Sequence, residues 1–146
     1  MLFRSVKVIR PDVKPTGSFD DVKVGHPYYE EIMKAAKLGF VAAESGNRFY
    51  PDRIITREEM AAFVFSCSVA NGTPLRMHGV EAVRAFPDYR ELPKGTVAQV
   101  QAVFGEKIMI GIGIGEGKRI LGIEQESTRE QAALVIYRYI SWLDQQ

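Results

Sequence analysis

The sequence predicts a mainly α-helical protein, and three observations predict it. Apolar residues recur at helical spacing in four separate segments. Three of these open on a threonine with a Glu or Gln three residues later, at Thr56-Arg-Glu-Glu59, Thr96-Val-Ala-Gln99 and Thr128-Arg-Glu-Gln131. That spacing lets the hydroxyl cap one orphan N–H while the longer side chain reaches back to another. Finally, a short set of motifs recurs in the same order in both halves of the chain. The expected architecture is two unequal helix-loop-helix repeats behind a short N-terminal extended segment.

The elements are justified in chain order. Residues 1–17 form an extension in which Leu2–Arg10 alternates loosely enough for a short strand, ended by Pro11, Pro15 and Gly17. Pro27–Leu38 reads as the first helix. Pro27 suits a first helical position, Tyr28, Ile32, Ala35 and Ala36 make the apolar stripe, and Gly39 suits a left-handed C-terminal cap. Ala43–Ile55 is a loop turning at Gly46-Asn47 and Pro51-Asp52. The Thr56 helix follows, with Met60, Phe63, Val64 and Cys67 as its expected buried stripe. Asn71–Pro74 ends this half, and residues 71–84 read as a linker. A third helix opens at Thr96 and runs to about Glu106. The Ile/Gly stretch Lys107–Gly117 reads as a strand or a close-packed loop. The fourth helix opens at Thr128, with Ala132, Val135, Ile136, Tyr139 and Ile140 as its apolar face.

Self-comparison ties the halves together. Phe19-Asp-Asp21 matches Phe86-Pro-Asp88 at a shift of 67, and Thr56-Arg-Glu58 matches Thr128-Arg-Glu130 at a shift of 72. The second copy therefore carries five more residues, and the Ile/Gly stretch is the place for them. The first copy spans residues 18–70 and the second 85–146.

An arginine at the first position of a helix is locally unfavourable. The helix N-terminus carries about half a positive charge, and a cation there costs a few tenths of a kcal/mol. A bound anion offsets that cost, because exposed N–H groups and a guanidinium fork converge where a carboxylate can sit. Arg57 and Arg129, with the caps Thr56 and Thr128, are therefore candidate ligand-binding residues. The bland alternative is that each arginine pairs with a nearby acid or lays its stem over the core.

The motifs also resemble the S-layer homology (SLH) family. The first copy carries Phe19-x-Asp21-Val22, His26-Pro-Tyr-Tyr-Glu-Glu-Ile32, Ala36-x-x-Gly39-Phe-Val41, Gly46-x-x-Phe49-x-Pro51 and Ile55-Thr-Arg-Glu-Glu59. The second keeps Phe86-x-Asp88 and Thr128-Arg-Glu130, with Leu121 and Ile123 where the aromatic and the proline fall. The resemblance implies helix-loop-helix units, usually in threes, that anchor exported proteins to cell-wall polysaccharide, often pyruvylated. It implies ligand contacts for Arg57 and Arg129 and an aromatic position at Tyr28. Asp21 joins this candidate set, although its recurrence as Asp88 reads first as a structural turn or cap. The implied partner is an anionic polysaccharide. The alternative is a protein-interaction or self-assembly module, in which self-association supplies missing prongs through the aromatic C-terminus (Tyr137, Tyr139, Trp142).

Composition narrows the remaining classes. Nineteen basic and 18 acidic residues leave no general basic field for nucleic acid. A single cysteine, Cys67, excludes an intrachain disulfide and reads as a small core residue. With two histidines, His26 and His78, there is no zinc cluster and no credible hydrolytic set. Gly113-Ile-Gly-Glu-Gly-Lys118 fails as a phosphate loop, because Ile112 stands where a glycine is needed and Arg119 where a hydroxyl is needed. No cofactor, metal, catalysis or membrane insertion is expected. No signal peptide is visible, so the expected location is the cell surface if the chain is part of an exported protein, with a cytoplasmic location left open.

Overall fold

The computed structural model describes Lys14 and residues 17–146. The short strand expected over Leu2–Arg10 lies outside the described residues. The fold is mainly α-helical, with one small two-stranded sheet. The chain divides into two compact units, Met1–Arg53 and Ile54–Gln146.

The first unit is built on α1 (Tyr29–Lys37). Glu30 and Glu31 in its first turn, with Lys34 and Lys37 in its last, complement the helix dipole. Pro27 precedes the helix rather than opening it, and the cap position falls on Tyr28. Gly39 ends the helix as expected. At φ 78° its N–H donates to Ala36, and the N–H of Phe40 donates to Ala35. That bond pair is a Schellman cap, which a residue with a Cβ adopts only at a cost. Met33 faces inward to meet Phe19 and Val22, and Tyr29, Ile32 and Phe49 close over this small core. The rings of Phe19 and Phe49 lie 5.4 Å apart.

The second unit holds α2 (Arg57–Ala70), α3 (Val80–Arg84), a single 3₁₀ turn at Tyr89–Glu91, α4 (Val97–Gly105), the hairpin β1 (Ile112–Gly115) and β2 (Lys118–Ile120), and α5 (Arg129–Leu143). Its core centres on Ala61 of α2, Val100, Ala102 and Val103 of α4, and Leu121 after the hairpin, all fully buried. The predicted stripe of α2 is turned. Arg57, Ala61, Val64 and Ser68 are buried, while Met60, Phe63 and Cys67 are only half-buried. The helix packs against α4, and two of its four buried residues, Ala61 and Ser68, are small. Ser68 hides its hydroxyl by donating to Phe65 O and accepting from Leu75 N. In α5 the buried stripe is Val135, Tyr139 and Trp142, and Ile136 is exposed.

Two glycines mark close approaches. A Cβ on Gly105 would collide with the His78 carbonyl, and one on Gly111 would collide with the Phe86 ring. The stretch 71–84, read as a linker, carries α3, which packs against α4. Its His78 pairs with Glu106 at 3.1 Å, and the other oxygen of Glu106 accepts from Trp142 Nε1 at 3.0 Å. Two of the three residues in the expected aromatic self-association surface, Tyr139 and Trp142, are thus buried, and Tyr137 alone is exposed.

The Ile/Gly stretch becomes the antiparallel hairpin, pairing Ile112 with Ile120. Its turn places Glu116 and Gly117 at φ 51° and 71°, the two positive values of a type I′ turn. In the first unit an isolated antiparallel bridge joins Glu44 to Arg48.

Candidate functional site

The two Phe-x-Asp motifs make the same bonds. Asp21 accepts from Phe49 N and Tyr50 N at 2.9 and 2.7 Å. Asp88 accepts from Leu121 N and Gly122 N at 2.9 and 2.8 Å. Each carboxylate therefore fixes the turn that precedes a Thr-Arg-Glu helix. Partial burial pushes the Asp21 carboxyl up, but the N–H groups of Phe49, Tyr50 and Asp21 itself outweigh it, helped by Arg48, and the pKa falls below the ordinary value. This places Asp21 as the turn-holding acid of the first unit.

The start of α2 carries a full capping box. Thr56 Oγ1 accepts from Glu59 N, and Glu59 Oε2 accepts from Thr56 N at 2.8 Å. The next two amides are also satisfied, since Arg57 N donates to Gln125 O and Glu58 N to Ile123 O, at 2.9 and 3.0 Å. The Arg57 side chain is 4% exposed. Its Nε donates to Leu121 O at 3.0 Å and an Nη to Ile110 O at 2.7 Å, while the guanidinium lies 5.7 Å from the centre of the Phe104 ring. Burial lowers its pKa, opposed by the charge of Asp88. The seat expected for an external anion at Thr56-Arg57 is filled by the chain's own carbonyl oxygens. The helix start at Thr96 has no side-chain cap. Its hydroxyl donates instead to Glu58 Oε1 at 2.6 Å, tying α4 to the start of α2.

The start of α5 is the same motif in a different state. Thr128 Oγ1 accepts from Gln131 N at 3.2 Å, but Gln131 does not return the bond, and its Oε1 is buried without a partner. Thr128, Arg129 and Glu130 are all exposed. Among the described residues nothing accepts from Arg129 N or Glu130 N. The two starts lie side by side, because Thr56 and Glu126 form an antiparallel bridge and Ser127 N donates to Ile55 O at 2.9 Å.

Tyr28 belongs to the first unit and is 66% exposed. It borders an open cavity of about 590 Å³ that also involves His26, Phe49, Pro51 and Asp52. Sequence reasoning did not single out Asp52, nor Asp88 and Leu121 as partners around Arg57. The repeat offsets were the signal for the latter pair, since Asp88 answers to Asp21 and Leu121 to Phe49. Among the described residues no group of His, Cys, Asp or Glu is placed to hold a metal ion, and no helix is long and apolar enough to cross a membrane.

No curated protein and no solved structure matches the chain. The family model of the S-layer homology domain does match, over residues 18–61. That span covers the Asp21 turn, α1, the loop to Pro51 and the capped start of α2. Residues 18–61, under a third of the chain, are thus similar to an S-layer homology domain.

Proposed function

We propose that this chain is a non-catalytic module that binds anionic, pyruvylated cell-wall polysaccharide, and that its two halves are copies of one unit. The S-layer homology domain gives the general class, a cell-wall binding module. The observation that carries the finer reading is the contrast between the two Thr-Arg-Glu starts. At Arg57 the motif gathers carbonyl oxygens from four residues around its amides and guanidinium. At Arg129 the same donors face solvent. A ketal carboxylate suits that open start, since helix amides and a guanidinium both favour an anion. In this reading Arg129 and Thr128 contact the ligand, Arg57 and Thr56 hold the neighbouring start in shape, and Asp21 holds the first unit's loop beside Tyr28.

Retention on purified wall polysaccharide tests the proposal, with and without removal of the pyruvyl groups. Wild type should bind the pyruvylated polymer, and Arg129→Ala should lose most of that binding while keeping its circular dichroism. Equal retention on both polymers would sink the anion reading.

One observation favours a second reading, a protein-assembly module. The acceptors at Arg57 are peptide carbonyls, so a loop of another chain would suit Arg129 equally well. Light scattering separates the two. Assembly requires a concentration-dependent rise in mass that Arg129→Ala abolishes.

A further inference from the structure

The cavity beside Tyr28 has a chemistry unlike that of the arginine starts. Its floor is apolar, formed by Ile32, Phe49 and Pro51. Tyr28 stands beside it as an exposed aromatic, its ring 6.1 Å from that of His26 and tilted by 57°. Exposing a large aromatic to water forgoes its burial, and a Tyr ring offers a rigid apolar face with a polar tip.

The polar groups at the rim are set by local bonds. Tyr28 N donates to His26 Nδ1 at 3.1 Å. That nitrogen is therefore the acceptor, so a neutral His26 carries its proton on Nε2, which is left to donate. Asp52 adds a carboxylate that accepts. Among the described residues no lysine or arginine lines the cavity. A volume of about 590 Å³ with an apolar floor and a few convergent polar groups is the usual make-up of a small-ligand site.

We infer that this cavity is a subsite for an uncharged pyranose residue, which lays its C–H face on Tyr28 and its hydroxyl edge against His26 and Asp52. The inference rests on the polysaccharide reading and extends it to a second, neutral residue of the polymer. A pyranose has one apolar face and a polar rim, matching the aromatic wall and the donor–acceptor pair. A ketal carboxylate matches less well, because the Asp52 carboxylate at the rim repels it.

Two-dimensional NMR with neutral methyl pyranosides tests the subsite without the wall polymer. Titration at millimolar concentration should move the resonances of His26, Tyr28 and Asp52 and leave α5 unmoved. Tyr28→Ala should weaken binding roughly tenfold, about the loss of one good contact, and Tyr28→Phe should keep it. Asp52→Ala should weaken it while leaving the fold intact, since Asp52 is exposed. The absence of shifts at Tyr28 with every glycoside, or unchanged binding in Tyr28→Ala, would overturn the subsite. Arg129-dependent retention on pyruvylated polymer that Tyr28→Ala does not alter would overturn the subsite and spare the wall-binding reading. Glycoside binding at Tyr28 by a protein that no wall polymer retains would do the reverse.

Discussion

Arg57 and Asp88 grip the same residue from opposite sides. The guanidinium donates to the carbonyl of Leu121, and the Leu121 N–H donates to the Asp88 carboxylate. A buried cation and a turn-holding anion are thus joined through the two peptide groups that flank one core residue. Arg57→Ala leaves two carbonyls without their charged donor, at about 3 kcal/mol. Urea unfolding should show this loss. A double-mutant cycle with Asp88→Ala should give a non-zero coupling, because both changes free the backbone of the same residue, Leu121.

The two close glycines should be the least tolerant small positions in the second unit. Gly105→Ala and Gly111→Ala push a methyl group into the His78 carbonyl and the Phe86 ring. Overpacking of this kind costs about 1–3 kcal/mol. Gly113→Ala, where a Cβ meets nothing, serves as the control. Thermal unfolding of the three variants should separate the first two from the third.

The two threonine caps should differ in worth. Thr56 has its box completed by Glu59, whereas Gln131 leaves the box of Thr128 half made. Thr56→Ala should cost about 1 kcal/mol, in the usual range for a cap, and Thr128→Ala less. Chemical denaturation of both variants under one condition checks the order.

Acid should loosen the first unit at its loop. The folded Asp21 pKa lies below the ordinary 3.8. Its stabilising bonds are therefore fully present above that value and are lost as pH falls through the lower folded pKa. Amide resonances of Phe49 and Tyr50 should report the transition. In Asp21→Asn those two amides should lose the carboxylate-linked step.

Much of the fold was legible because its local signals are strong. Gly39 ends α1, and the Thr-x-x-Glu box at Thr56 opens α2. What was not legible depended on partners far along the chain. The buried face of α2 carries Arg57, Ala61, Val64 and Ser68 rather than Phe63, and it is set by elements such as α4 that pack from far along the chain. Thr96 has the spacing of a capping box, yet Glu58 draws its hydroxyl away. Arg57 read as a ligand contact on helix electrostatics and on the family resemblance, and only the fold shows four carbonyl-bearing residues gathered around it. The candidate set was legible as a set of residue types. Their states were not, because Arg57 and Arg129 share the Thr-Arg-Glu motif and differ in what lies opposite.

The chain has one tryptophan. Trp142 is buried against Tyr139, with its indole N–H held by Glu106. Excitation at the red edge of the absorption band therefore lights a single fluorophore within Ile54–Gln146. Its emission follows that unit's loosening, and Met1–Arg53 contributes no tryptophan signal at all. A mismatch between the emission curve and the backbone dichroism curve would reveal that the two units melt at different points, without any label being added.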